Sequence, residues 1–195
     1  MYKSIDQIIT EAHNGLVEPG DLKKLLTLVY NDVAPKNILE IGVRQGFTFR
    51  ACVDYWQPEI AIGIDLLYKG QIPAPGIIPI VENAHYLWGM DSQKQETVDE
   101  VKKILDGKLL DFLFIDGDHS LVGVTKDWEN YSPLVREGGI IAFHDVLSLI
   151  QTTELIEVKL LFDELSKTHK TLIINEAPKT DEKLAFSSGM GILFK

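Results

Sequence analysis

Short apolar segments that each end in an acidic residue recur along the chain after residue 37. The strongest are 38–40, 60–65, 112–116 and 140–145, and each is followed by polar sequence with helical spacing. Segments this apolar are typical of strands buried on both faces, as in a parallel sheet between two helical layers. The closing acids, with Asp91 after a weaker segment at 86–88, are 25 to 29 residues apart, close to the ~30 residues of one βαβ unit. The pattern therefore predicts an α/β fold with a doubly wound, mostly parallel sheet.

Two segments compete for the third strand of this sheet. Residues 77–81 are as apolar as residues 86–88, but the spacing of the acids favours 86–88, which precede Asp91. Near the C-terminus the pattern predicts an amphipathic helix at 155–165. Two further strands, at 171–174 and 191–194, are predicted to form a hairpin with a long connection.

Two helices are predicted before the first strand. Residues 5–12 and 22–30 have apolar positions at helical spacing, and Pro19-Gly20-Asp21 forms the break and cap between them. We expect these helices to cover an edge of the sheet. With 195 residues, 45% of them hydrophobic, the chain is long enough for one domain, 1–195, in which residues 1–35 cover the core.

Composition excludes several classes of function. A net charge of −10 repels polyphosphate, so we expect no nucleic-acid partner. Cys52 is the single cysteine, which rules out an internal disulfide and favours a reducing compartment. The first twenty residues carry charges throughout and lack an apolar stretch long enough for a signal peptide or a membrane span. We expect a cytoplasmic protein with a small-molecule substrate and no membrane partner; a homo-oligomer is compatible with the sequence, but no signal indicates one.

The acids that close the strands are predicted to surround a single site, because the carboxyl ends of parallel strands open on one crevice. A turn with two glycines, Gly42 and Gly46, follows the first strand and would let a ligand approach the backbone at a helix N-terminus. Arg44 stands where dinucleotide-binding proteins have their middle glycine, which disfavours NAD or FAD. A plain strand-to-helix turn is the alternative interpretation. The acids of the predicted site are Glu40, Asp65, Asp91, Asp116 and Asp145.

Asp65 closes the second strand about 20 residues after the glycine turn, where an acid can accept hydrogen bonds from the two hydroxyls of an adenosine ribose. An Asp at this position can also simply cap the structure that follows. The sequence alone leaves both roles open.

The densest group of titratable residues follows the fourth and fifth strands. Asp116, Asp118 and His119 come after one, and His144 and Asp145 close the other. Adjacent strands lie about 4.8 Å apart, so these groups could share one ion or one substrate hydroxyl. Two carboxylates favour Mg²⁺ or Mn²⁺, histidine ligands favour transition metals, and an imidazole could instead act as a general base. The alternative is a pair of capped loops exposed to water.

Four segments, 37–42, 63–65, 114–119 and 138–145, resemble the class I S-adenosylmethionine (SAM) dependent methyltransferases. The likeness covers about residues 36–146 and is greatest to the branch of cephalosporin-hydroxylase-like proteins and sugar O-methyltransferases. It implies a Rossmann-like sheet of seven strands in the order 3-2-1-4-5-7-6, with the last strand antiparallel. It also implies SAM across the ends of strands 1 to 3, and O-methylation of a small hydroxylated molecule.

The same resemblance implies roles for individual residues. Glu40, Gly42 and Gly46 would line the methionine part of SAM, Asp65 the ribose, and Asp91 with Ser92 the adenine, while Asp116 would also face the cofactor. Mg²⁺ or another divalent ion would lie at Asp116, His144 and Asp145, although His144 replaces an acid of the metal-dependent relatives. His119 or Asp118 would be the base, with His144 beside them as a further catalytic candidate.

Two other functions are compatible with the same residues. A metal-dependent hydrolase could use Asp116, Asp118, His119, His144 and Asp145 without SAM. A non-catalytic module could bind SAM and lack a base or metal beside the methyl group.

Overall fold

The structure is a computed structural model that describes residues 3–12, 17–67, 82–147, 150–151, 154–155, 157–176 and 189–195. The helices are α1 (Ile5–Ala12), α2 (Pro19–Val33), α3 (Phe47–Trp56), α4 (Gln95–Leu105), α5 (Leu121–Tyr131) and α6 (Val158–Leu165). The strands are β1 (Asn37–Ile41), β2 (Ile60–Asp65), β3 (Ala84–Trp88), β4 (Leu110–Ile115), β5 (Val135–His144), β6 (Ile150–Gln151), β7 (Glu154–Leu155), β8 (Lys170–Ile174) and β9 (Met190–Phe194).

Seven strands form one sheet in the order β3-β2-β1-β4-β5-β9-β8, and β6 pairs only with β7 in a separate ribbon. The first five are parallel to one another, whereas β9 is antiparallel to both β5 and β8. Without the short ribbon the order reads 3-2-1-4-5-7-6, with the last strand in the chain antiparallel. The predicted doubly wound α/β fold is confirmed.

Each face of the sheet is buried under helices, which explains the uninterrupted apolar segments. Along β4, Phe112 and Phe114 pack in one core with α1, α2 and α3, whereas Leu113 and Ile115 pack in the other with α4, α5 and α6. Successive side chains of a strand point to opposite faces, so a strand between two helical layers needs apolar residues at every position.

Most predicted elements are confirmed, with small shifts at their ends. The third strand is Ala84–Trp88, as the spacing of the acids predicted; residues 77–81 lie outside the described residues. The C-terminal hairpin is present as β8 and β9, and residues 177–188 of its connection also lie outside. The last helix begins at Val158 and not at residue 155, because Glu154–Leu155 pairs with Ile150–Gln151.

The N-terminal helices differ from the prediction in two ways. Pro19, Gly20 and Asp21 form the first turn of α2 and not a break before it; proline fits there because first-turn N–H groups lack helical partners. The two helices also pack beside α3 over one face of the sheet and not only at its edge, since Ile8, Leu25 and Phe49 share one core. Within the described ranges, no helix has the length and apolarity needed to cross a membrane.

Candidate functional site

The acids that close the parallel strands lie along one edge of the sheet, as predicted. Strands β2, β1, β4 and β5 are consecutive neighbours, with Asp65 and Glu40 near the carboxyl ends of β2 and β1. Asp116 and Asp145 follow directly after β4 and β5, and Asp91 lies in the turn after β3. The connections that follow the five parallel strands therefore lie along the carboxyl edge of the sheet, where α/β proteins bind their ligands.

The turn after β1 is packed tightly against the loop after β4. Gly42 has φ +88°, and a Cβ on it would lie 2.0 Å from the carbonyl oxygen of Asp116. Gly46, also at φ +88°, precedes the first turn of α3. Arg44 also has a positive φ, +50°, although it is not a glycine, so three residues of this turn adopt the left-handed backbone region. The turn thus brings the backbone of the loops after β1 and β4 into close contact at the N-terminus of α3.

Glu40 is the most deeply buried acid near this turn, with 4% of its surface exposed. Burial raises the pKa of its carboxyl well above the usual value, and the negative charges of Asp116 and Asp65 raise it further. A cation placed beside Glu40 would lower this pKa again. The buried carboxyl therefore suits a positively charged ligand.

Asp65 is held by the backbone on both sides. Its Oδ2 accepts the N–H of Arg44 at 2.6 Å, and its Oδ1 accepts the N–H of Leu67 at 2.6 Å. Each carboxylate oxygen keeps a further lone pair, and two lone pairs suit the two hydroxyls of a ribose. Capping and ribose binding, the two roles left open by the sequence, are thus compatible.

Two carboxylates and two imidazoles form a compact cluster between β4 and β5. Nδ1 of His144 lies 3.3 Å from Asp116 Oδ1 and 3.4 Å from Asp145 Oδ1. Nε2 of His119 lies 3.5 Å from Asp116 Oδ1 and 3.3 Å from Asp145 Oδ2. Side-chain exposure rises from 3% at Asp145 to 34% at His119, so His119 is the member that a substrate would reach first.

Opposite charges in the cluster shift each other's pKa. Burial raises the pKa of Asp116, but His144 and His119 outweigh it and lower this pKa to about 2. The hydrogen bond that the His119 imidazole donates to Asp116 raises the pKa of His119, against the effect of burial. Burial lowers the pKa of His144, but Asp116 and Asp145 raise it well above the usual value. Both imidazoles are therefore more basic than an imidazole in water.

Asp145 has an unusual backbone. Its φ is +62°, in the left-handed region that few residues other than glycine adopt, although Asp tolerates it better than most. The carboxylate of Asp145 lies beside the imidazole of His144 and close to the carboxylate of Asp116. Ligand atoms of these three residues lie within 4.8 Å of one another, a separation that one ion with bonds of about 2.1 Å can bridge after small side-chain movements. The donor set therefore fits a divalent metal.

Asp118, a predicted base, forms hydrogen bonds with residues that do not belong to the cluster. Its Oδ1 accepts the N–H of Ser120 at 2.9 Å, and its Oδ2 accepts Nε2 of Gln93 at 3.2 Å. Its carboxyl group packs so closely on α5 that a Cβ on Gly123 would lie 2.2 Å from it. These contacts indicate that Asp118 shapes the loop, and its catalytic role stays a prediction.

The turn after β3 is tied to α5. The hydroxyl of Ser92 donates to Oδ1 of Asp127 at 2.7 Å. Oδ1 of Asp91 accepts the N–H of Gln93 at 2.9 Å. A groove of about 550 Å³ lies beside this turn, and Asp91 and Leu121 are among the residues that line it. Of the predicted cofactor residues, the groove reaches only Asp91.

Glu157, which was not predicted from the sequence, holds the loop that carries His119. The backbone N–H of Glu157 donates to the carbonyl of His119 at 2.8 Å. Its Oε2 accepts the N–H of Leu121, the first residue of α5, at 2.9 Å. No local pattern predicts this contact, since it depends on how α6 packs against α5.

A model of the methyltransferase domain family matches residues 39–146, more than half of the chain. The chain belongs to this methyltransferase family. The matched region begins in β1 and ends just after Asp145, so it contains the glycine turn and the cluster of the methyltransferase. No curated protein sequence matches this methyltransferase significantly.

Solved structures share the fold of the methyltransferase. A Staphylococcus aureus protein assigned to the caffeoyl-CoA O-methyltransferases is 20% identical, with a TM-score of 0.67 over 99% of this chain and 92% of that one. A Bacillus cereus O-methyltransferase in complex with S-adenosylhomocysteine (SAH) is 15% identical, with a TM-score of 0.59 over 98% and 90%. MycE of the mycinamycin pathway, with Mg, SAH and mycinamycin VI, is 13% identical, with a TM-score of 0.66 over 99% and 54%.

The residues of this class I methyltransferase fit SAM. The turn at Gly42 leaves no space for a side chain, Asp65 keeps lone pairs that can accept further hydrogen bonds, and burial raises the pKa of Glu40, which a nearby cation would lower again. The sulfonium of SAM is a cation, so the acidic edge attracts it more than it attracts the neutral product.

Proposed function

We propose that the protein transfers the methyl group of SAM to a hydroxyl of a small molecule. The observation that carries this proposal is the cluster of Asp116, His119, His144 and Asp145, which combines a proton acceptor with a set of metal ligands beside the cofactor edge. The O-methyltransferases among the structural neighbours support an oxygen acceptor. Mg²⁺ bound to MycE supports the use of a divalent ion.

Methyl transfer needs an acceptor oxygen in line with the carbon–sulfur bond and a group that takes its proton. SAM supplies the electrophilic methyl group. As the oxygen–carbon bond forms and the carbon–sulfur bond breaks, the hydroxyl proton would pass to Nδ1 of His119, because the nearby carboxylates already hold a proton on Nε2. Asp116 and Asp145, at 3.5 and 3.3 Å from Nε2, would stabilise the imidazolium that results.

Asp116, His144 and Asp145 would hold the divalent ion. A bound cation lowers the pKa of a coordinated hydroxyl, so that less basicity is needed from His119. The imidazole of His144 shifts the preference of the donor set from Mg²⁺ towards Mn²⁺ and other transition metals, because nitrogen ligands suit those ions better. Asp145, almost fully buried, would fix the ion on the inner side.

The test is methyl transfer from isotope-labelled SAM to a panel of small catechols, phenols and sugars, with matched amines and thiols as controls. We expect label in an ether product, with SAH formed in equal amount. Transfer only to amines or thiols would contradict oxygen as the acceptor. Binding of SAM without transfer to any acceptor would favour the non-catalytic module, and metal-dependent hydrolysis of simple esters without SAM binding would favour the hydrolase.

A further inference from the structure

Asp127 is a buried acid that lies outside the predicted site. It is on α5 and 0% of its surface is exposed. Its Oδ1 accepts the hydroxyl of Ser92 at 2.7 Å, and its Oδ2 is a buried oxygen with no hydrogen-bond partner in the described structure. A buried carboxyl with one oxygen unpaired is costly, and apolar residues would fill the same space at lower cost. Packing alone therefore does not explain an acid here.

The contacts of Asp127 converge on the turn after β3. Two other side chains of α5 bind the same residue of that turn, since Nδ2 of Asn130 and the hydroxyl of Tyr131 donate to the carbonyl of Ser92 at 3.2 and 2.9 Å. The helix thus holds Ser92 by its side chain and by its backbone. Asp91, beside it, lines the open groove.

Asp127 also lies next to the loop after β4. A Cβ on Gly117 would lie 3.3 Å from Oδ2 of Asp127, so the unpaired oxygen faces the residue that follows Asp116. A single side chain thereby binds the turn after β3 and lies next to the loop after β4. Burial, with the nearby charges of Asp118 and Asp91, raises the pKa of Asp127 to about 7 against the hydrogen bond from Ser92. A raised pKa means that the neutral form of the carboxyl, which needs no counter-ion, is more populated here than in an ordinary Asp.

We infer that Asp127 is a positioning residue for SAM: through Ser92 it sets the turn after β3, against the loop after β4, in the arrangement that binds the adenosine part of the cofactor. The inference rests on the proposed function, since it assumes that SAM binds along this edge. It needs no knowledge of the methyl acceptor or of the metal.

The experiment is calorimetric titration of SAM into the full-length protein and its variants, with thermal unfolding of each variant measured without ligand. Asp127→Ala removes the acceptor for Ser92 and is expected to weaken SAM binding at least about tenfold. Asp127→Asn keeps an oxygen for the Ser92 hydroxyl and is expected to bind within about threefold of the wild type.

A matched control separates positioning from stability. Asp111 is also a buried acid, but it binds the N–H groups of Lys36 and Asn37 at the amino ends of the strands, away from the site. Asp111→Ala is expected to lower the unfolding temperature and leave the affinity for SAM unchanged. A residue with a merely structural role would behave in this way.

Ser92→Ala removes the same hydrogen bond from the turn and keeps the inference testable if Asp127→Ala does not fold. We expect Ser92→Ala to weaken SAM binding, and the double variant with Asp127→Ala to be no weaker than the weaker single variant. Unchanged affinity in Asp127→Ala or in Ser92→Ala, or additive losses in the double variant, would overturn the inference alone. Failure of the wild type to bind SAM would overturn the proposed function as well.

Discussion

Nε2 of His119 lies 3.3 Å from Oδ2 of Asp145, so the loop after β4 reaches over the end of β5. Glu157 fixes this arrangement from α6, through the carbonyl of His119 and the N–H of Leu121. The imidazole is thereby held at the outer rim of a buried acidic pair, where it can accept a proton from a substrate and retain it.

Replacing His119 should affect catalysis more than cofactor binding. In His119→Asn we expect kcat, measured with the best acceptor from the labelled-SAM panel, to fall about 10²–10⁴-fold, with little change in the Kd of SAM. His169→Asn is the control, because His169 lies just before β8, at the opposite edge of the sheet. Equal losses in both variants would show that His119 has no special role.

Divalent metal binding should depend on Asp145 and His144. Titration of Mn²⁺ followed by electron paramagnetic resonance is expected to show one site that weakens about 10–100-fold in Asp145→Asn and in His144→Ala. Asp106→Asn, a change in the turn after α4, should leave the site intact. Competition should place Mn²⁺ and Co²⁺ ahead of Mg²⁺, since imidazole favours transition metals. If both cluster variants bind Mn²⁺ as tightly as the wild type, the ion must bind at another place in the protein.

Gly42 should be intolerant of any side chain. Gly42→Ala is expected to lower the free energy of unfolding by about 2–4 kcal/mol, because φ is positive and the new Cβ would meet the carbonyl of Asp116. Gly107→Ala is the matched control, with φ +79° and nothing within 4 Å of the added Cβ, so it should cost only about 1 kcal/mol. If urea titrations show the same loss of unfolding free energy in both variants, the contact between Gly42 and the loop after β4 adds nothing to the cost of the side chain.

Binding of SAM should release a proton from Glu40. The pKa of this carboxyl is raised in the free protein by burial, Asp116 and Asp65, so the acid is protonated well above its usual range. A cationic ligand favours the ionised form, and therefore SAM should bind more tightly as the pH rises towards that pKa. Calorimetry in buffers of different ionisation enthalpy measures the release. Glu40→Gln should abolish it; release that persists there would have to come from another group.

The strands could be predicted because each is buried on both sides. In β1, one core contains Ile38 and the other contains Leu39 and Ile41. Apolar residues are therefore needed on both faces of the strand before Glu40, and a polar residue fits only at the end of the strand. The common location of the site acids could be predicted in the same way, since the carboxyl ends of parallel strands share one edge of the sheet. Spacing alone also favoured residues 86–88, which lie in the observed third strand, Ala84–Trp88.

The supporting residues could not be predicted in the same way. Glu157 contacts the loop of His119 only because α6 packs beside α5, and nothing near Glu157 in the sequence indicates it. Asp127 did carry a signal: it occupies a core-facing position of the helical pattern formed by Val124, Trp128 and Tyr131. A carboxylate at such a position indicates a buried polar contact, although the partner, Ser92, becomes known only from the fold.

The most direct test of the account is a crystal structure with SAH and Mn²⁺ bound. The account predicts the adenosine between the turn after β3 and the loop after β4, the ribose hydroxyls on Asp65, and the sulfur facing the cluster at His119 and Asp145. A cofactor bound away from this edge, or with its sulfur turned from the cluster, would contradict it.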